Sequence, residues 1–151
     1  MATVNPYLTF HGQCEEAFKF YESAFGTKVP FWGRFGEMPP AEGMPPLADE
    51  YKNQIMHVAL PISKETTIMG SDSLPGMGEY KNGNDFSISI NTESREEALE
   101  LFTKLSEGGQ VTMELAAGKY AVQGTANPRI HLTWNTRDPQ DASNRQTARI
   151  F

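Results

Sequence analysis

The chain carries three histidines, His11, His57 and His131. They form no His-x-His or His-Glu-x-x-His spacing, the patterns that bring two imidazoles to one metal from a single element. His57 sits inside the apolar run "QIMHVALPI", Gln54 to Ile62. There an imidazole is either a hydrogen-bonded wall residue or the acid–base group of a pocket. His11 stands where a strand passes into a helix, which suits a surface or capping residue. In "VPFWGRF", Val29 to Phe35, Trp32 and Arg34 alternate with Phe31 and Phe35 and so share a face. An arginine beside an aromatic wall can hold an anionic or carbonyl-bearing ligand through its forked donors. The sequence leaves open which of the two faces looks inward. Ser71 and Asp72 close another strand candidate and add polar groups. The lone Cys14 reads as a small buried apolar residue.

These residues need elements to position them, and the chain states its elements twice. "EEAFKFY" from Glu15 is echoed by "EEALELF" from Glu96. Upstream of each echo is a period-2 alternation, Leu8 and Phe10 in one case, Phe86, Ile88 and Ile90 in the other. Downstream, Gly26 precedes Val29 and Gly108 precedes Val111. Each half therefore reads strand, helix, glycine stop, strand. Cys14, Ala17, Phe18, Tyr21 and Phe25 make one helical stripe; Ala98, Leu101, Phe102 and Leu105 make another. Ser94 with Glu97 is a capping-box pattern. The Glu pairs lie in first turns, where carboxylates complement the helix dipole.

Further strands are expected over Gln54–Ile62 and Thr66–Ser71, with shorter ones at "KYAVQG" (Lys119 to Gly124) and "RIHLTWN" (Arg129 to Asn135). The Pro/Gly-rich segment after Phe35 and the stretch 73–84 read as loops. Met38, Met44 and Met77 lie in them, as lid residues or as residues tucked against the core or a partner. The expectation is one α+β domain over 1–151: paired β-α-β-β-β modules forming a curved mixed sheet around a cavity, helices outside. Module one spans about 4–72, the linker 73–84, module two about 85–135, and a loose tail 136–151. Each module covers the apolar face that the other cannot bury alone. The hollow between them is the natural ligand site. Its wall candidates are Phe31, Trp32, Phe35, Met56, Met69, Phe86 and Ile88, with Arg34, His57, Ser71 and Asp72 as polar members.

Composition narrows the function classes. A net charge of −6 without basic runs is unsuited to nucleic acid, whose phosphates require clustered Lys and Arg. No apolar run approaches the ~20 residues that span a bilayer, and "MATVNPYLTF" does not read as a secretion signal. One cysteine agrees with a reducing cytoplasm.

The wording "NPYLTFHGQCEEAFKFYESAFG", then "IMHVALPI", "MGSD" and "NDFSISINTESREEALELFTKLSEGGQVTMEL" resembles the PhnB-like branch of the vicinal oxygen chelate superfamily. That superfamily includes glyoxalases, bleomycin- and fosfomycin-resistance proteins and extradiol dioxygenases. The resemblance covers Val4 to about Leu115. After Leu115 the family's Trp-Gly, Phe-Gly and final Trp are replaced by other residues. The likeness implies paired modules and a homodimer whose partner helps to complete the cavity. Some members of the branch carry a ubiquinone-pathway methyltransferase label, but no Gly-rich loop follows the first strand here to suit a nucleotide-like methyl donor.

The superfamily's founding chemistry is a divalent metal, held by facing strands, that polarises neighbouring substrate oxygens. The positions implied by the resemblance hold Tyr7, Thr9, His11, Met69, Ser71, Asp72, Ser87, Ser89, Asn91 and His131. Met and Ser are poor ligands for a hard cation. His11, Asp72 and His131 are the remaining metal candidates, and no cofactor is favoured. The expected function is small-molecule binding in an apolar, metal-free cavity of a homodimer. The alternatives are a metal-dependent lyase, isomerase or dioxygenase, and a structural dimer without a functional pocket.

Overall fold

In the computed structural model, the described residues are 2–39, 46–81, 88, 90, 92, 94–116 and 119–124. The chain divides into two compact units, Met1–Lys81 and Asn82–Phe151.

The first unit begins with β1, Tyr7–Phe10. Helix α1, Cys14–Phe25, follows and buries Cys14, Phe18, Tyr21 and Ala24 along one side. Gly26 ends the helix in the left-handed region at φ 67°, and its N–H donates to the Glu22 carbonyl. Strand β2 is only Trp32–Arg34. The longer strand expected over Val29–Phe35 is cut short for two reasons. Pro30 offers no N–H to a ladder. Glu37 accepts from the Arg34 N–H and curls Phe35–Glu37 into a 3-10 turn. The loop that follows holds a short helix not expected from sequence, α2, Asp49–Lys52. Strands β3, Ile55–Pro61, and β4, Thr67–Asp72, complete the unit.

The four strands form one mixed sheet in the order β1-β4-β3-β2. β4, last in sequence, lies between β1, which it pairs in parallel, and β3, which it pairs antiparallel. β3 and β2 are antiparallel with an irregularity: Gly33 pairs with His57 but Arg34 pairs with Ile55. β3 therefore carries one extra residue there, a β-bulge. It lets Ile55 and Val58, three apart, point to the same side, and both are fully buried.

That side is the core of the unit. Leu8, Phe10, Val58, Leu60 and Ile68 from the sheet meet Cys14, Phe18 and Tyr21 from α1, all buried. Phe18 stands edge-on to Phe10 and to Tyr21, with ring centroids 6.2 and 5.5 Å apart. Phe18 also rests on the bare backbone of Gly70. A Cβ at Gly70 would lie 2.7 Å from the Phe18 ring and 2.9 Å from the Leu8 carbonyl oxygen.

In the second unit, α3 runs Arg95–Leu105. The Ser94 hydroxyl caps it by accepting from the Glu97 N–H at 3.1 Å. Ala98 and Leu105 are buried and Leu99 is exposed. β5, Gly109–Ala116, pairs antiparallel with β6, Lys119–Gly124, in a two-stranded sheet. Ile88 and Ile90 are described without a strand assignment; Phe86 and the strand expected over Arg129–Asn135 lie outside the described residues.

Candidate open-face site

The helix covers one face of the four-stranded sheet, and the alternation of strand residues decides what stands on the other. Leu8 and Phe10 point to the helix, so Tyr7 and Thr9 point away. Registered with them on β4 are Met69 and Ser71. Ala59 lies opposite Met69 on β3, and Gly33 lies opposite His57. Phe31, next to the end of β2, falls on the same side, with its ring 3.4 Å from where a Gly33 Cβ would be. Met56 approaches the same point to 3.6 Å. Gly33 is itself buried: the Phe31 ring, the Met56 thioether methyl and, at 3.2 Å, the His57 carbonyl oxygen close over the place of its absent side chain.

Tyr7 and Phe31 are 47% and 67% exposed, large apolar groups left open to solvent. Tyr7 reaches across β4 to β3. Its hydroxyl lies 3.4 Å from the His57 Nδ1, and the two rings are near-parallel at 5.9 Å. His57 is exposed and hydrogen-bonded on this face. Tyr7, Thr9, Phe31, His57, Ala59, Met69 and Ser71 make a surface that is aromatic and apolar with hydroxyl and imidazole groups and no formal charge.

The charged candidates turn the other way. Trp32 pairs with Val58 and Arg34 with Ile55, both on the helix side. Arg34 donates through Nη1 to Glu15 Oε2 of α1 at 2.8 Å and to the Asn53 carbonyl. The sequence left the facing of this pair open, and the structure sets both residues on the helix side. The Arg34 hydrogen bond, with that of Lys19 next, holds the Glu15 carboxyl down at about 2.

Asp72 is likewise turned from the open face. It is 2% exposed, and its two oxygens accept from three backbone N–H groups: Gly12 at 2.9 Å, Cys14 at 3.0 Å and Ile55 at 2.8 Å. It ties the start of α1 and the start of β3 to the end of β4. As a pocket member or a metal ligand it is therefore corrected to an internal anchor. Burial above all, then the Asp72 and Glu15 charges, push the Cys14 thiol far above its ordinary range, which removes it as a nucleophile.

His11 is exposed and stacks on Tyr80, with centroids 5.5 Å apart. His131 and Phe86 lie outside the described residues; Ile88 is half-buried within the second unit. Among the described residues, no three His, Cys, Asp or Glu side chains stand close enough to hold a metal ion. Of the strand positions implied by the family likeness, the described ones on the open face hold Tyr7, Thr9, Met69 and Ser71, side chains poorly suited to a hard divalent cation. No helix among the described residues is long and apolar enough to cross a membrane.

Sequence reasoning put Phe31 among the wall residues but omitted Tyr7 as a pocket residue. The signal was present, since burying Leu8 and Phe10 commits Tyr7 to the opposite face.

The family described as the glyoxalase/bleomycin resistance protein/dioxygenase superfamily matches residues 3–141. Protein YjdN of Escherichia coli (strain K12) is 29% identical over 116 residues, 73% of this chain and 76% of that protein. Among solved structures, protein PA1353 from Pseudomonas aeruginosa superposes with a TM-score of 0.74 at 29% identity, covering 90% of this chain and 99% of the other. A putative 3-demethylubiquinone-9 3-methyltransferase, the PhnB protein from Bacillus cereus, has a TM-score of 0.62 at 21% identity, covering 88% and 99%. At that identity the likeness is one of fold.

Proposed function

We propose a small-molecule binding role for this chain, which belongs to the glyoxalase/bleomycin resistance protein/dioxygenase superfamily. The single observation that carries the reading is the exposure of large apolar groups, Tyr7 and Phe31, on the sheet face opposite α1. Soluble proteins bury such faces or use them. Concave or sheet-lined surfaces of aromatic and apolar groups with a few polar ones are the usual ground for small ligands. The ligand sits against Tyr7, Phe31, Met56 and Met69, and His57 and Ser71 orient it.

The PhnB-like branch is the finer placement, supported by the wording of Val4 to Leu115. A cytoplasmic homodimer belongs to the same reading. A methyltransferase role gains nothing from the site, which among the described residues offers no Gly-rich cradle for a methyl donor.

Native mass spectrometry and metal analysis of the untreated full chain, followed by NMR titration with a panel of small aromatic compounds, test this. The expected result is a dimer without stoichiometric metal whose Tyr7, Phe31 and Met69 signals move on binding. A panel that moves none of these signals overturns the binding role. Stoichiometric Mn, Ni, Zn or Fe that is lost in His11→Ala overturns the metal-free reading.

A further inference from the structure

On the open face, Tyr7 and His57 come from β1 and β3 and meet over the intervening β4. Both belong to an exposed surface, so neither is held there by packing in the core. The His57 Nδ1 has the Tyr7 hydroxyl as its partner, and Nε2 has none among the described residues. In a phenol–imidazole pair the proton stays on oxygen, because phenolate is a stronger base than a neutral imidazole nitrogen, and the bare imidazole nitrogen is a better acceptor than a phenol oxygen. The Tyr7 hydroxyl therefore donates and Nδ1 accepts. An imidazole that accepts at Nδ1 carries its proton at Nε2. At 3.4 Å the bond is long and adds little to stability. Its effect is directional: it selects which nitrogen is the donor.

We propose that Tyr7 fixes His57 in the Nε2–H tautomer, so that the open face offers a hydrogen-bond donor and selects ligands that carry a carbonyl oxygen on an apolar body. This rests on the ligand-binding reading above. The neighbours fit that chemistry. Phe31, Met56 and Met69 accept an apolar body, and among the described residues placed on this face there is no Asp, Glu, Lys or Arg to favour an ion over a neutral carbonyl compound. Tyr7 acts as a positioning residue and His57 as the contact that sets specificity.

The test uses the full chain with 15N-labelled histidine. Long-range proton–nitrogen correlation at about pH 8.5, about two units above the ordinary imidazole midpoint, reads the tautomer directly. The wild type is expected to show His57 as Nε2–H, and Tyr7→Phe to shift it toward a mixture. Acetophenone and cumene, close in size and differing by the carbonyl oxygen, then serve as probes. Acetophenone is expected to bind about 3- to 10-fold more tightly, and that preference shrinks in Tyr7→Phe. A wild-type His57 that is mixed or Nδ1–H overturns the inference, whatever binds. Equal binding of both probes also overturns it, while leaving the binding role standing. If neither probe binds, the carbonyl preference falls together with the binding role.

Discussion

The two faces of one sheet differ in almost every physical respect. Toward α1, the strands present Leu8, Phe10, Ile55, Val58, Leu60 and Ile68, all buried, and a carboxylate with three N–H partners. Away from α1, they present Tyr7, Phe31, His57 and Met69 to a surface that this unit leaves open. Charge follows the same division: Glu15, Arg34 and Asp72 serve the helix side. The difference teaches that the ionisable groups most attractive as chemistry in this sequence hold the fold. The groups that could recognise a ligand are mostly aromatic and apolar, and one of them, Tyr7, was easy to overlook.

Changes on the helix side should cost stability, and changes on the open face should cost only recognition. The largest effect is expected from Asp72→Ala. It strands three N–H groups at the junction of three segments, and a loss of about 4 kcal/mol in urea unfolding is expected. A loss below about 1 kcal/mol would show that water replaces the carboxylate and that the anchor is dispensable.

Gly70→Ala comes next. Its new methyl collides with Phe18 and the Leu8 carbonyl, at an expected cost of about 2–3 kcal/mol. Combining it with Phe18→Leu should recover part of that cost, a coupling that a double-mutant cycle measures.

The Glu15–Arg34 pair gives a smaller, pH-dependent effect. The Glu15 carboxyl lies at about 2 in the folded chain against an ordinary 4.5. Its contribution is therefore complete above pH 4.5 and is lost as pH falls from there toward 2. Its side chain is 34% exposed, so after discounting for solvent screening the contribution is about 1 kcal/mol. Arg34→Met should be less stable than wild type by that amount at pH 7, and the gap should close at about pH 2. A gap that persists into acid would assign the loss to the Asn53 hydrogen bond and the packing of the arginine stem.

The smallest stability change is expected from Phe31→Ser on the open face, within about 0.5 kcal/mol by thermal unfolding. The same variant should weaken aromatic probes markedly in the NMR titration. A clear loss of stability there would mean that the open face is structural, and the contrast between the faces would fail.

What was legible in the sequence was local. The stripe of α1, its stop at Gly26 and the Ser94–Glu97 cap each depend on residues within a few positions of one another. The alternation of Leu8 and Phe10 marked β1, and the strand expected over Thr66–Ser71 is offset by one residue from β4. What depended on pairing was not legible. The bulge opposite Gly33 and Arg34 exists only relative to β2, and it undoes the simple alternation that would have placed Ile55 and His57 on one side. Asp72 gave no sign of its role, because its partners stand 60, 58 and 17 residues away. The facing of Trp32 and Arg34 was undecided for the same reason: only the Glu15 carboxylate, brought there by α1, resolves it.

The place of β4 has a consequence for synthesis. A growing chain that has released β1, α1, β2 and β3 still holds a gap where the central partner of β1 and β3 belongs. The amides of Gly12, Cys14 and Ile55 likewise wait for a carboxylate that is translated after all of them. On the ribosome, the first half of this molecule can therefore close only once residue 72 has cleared the exit tunnel, and it should do so in one concerted step.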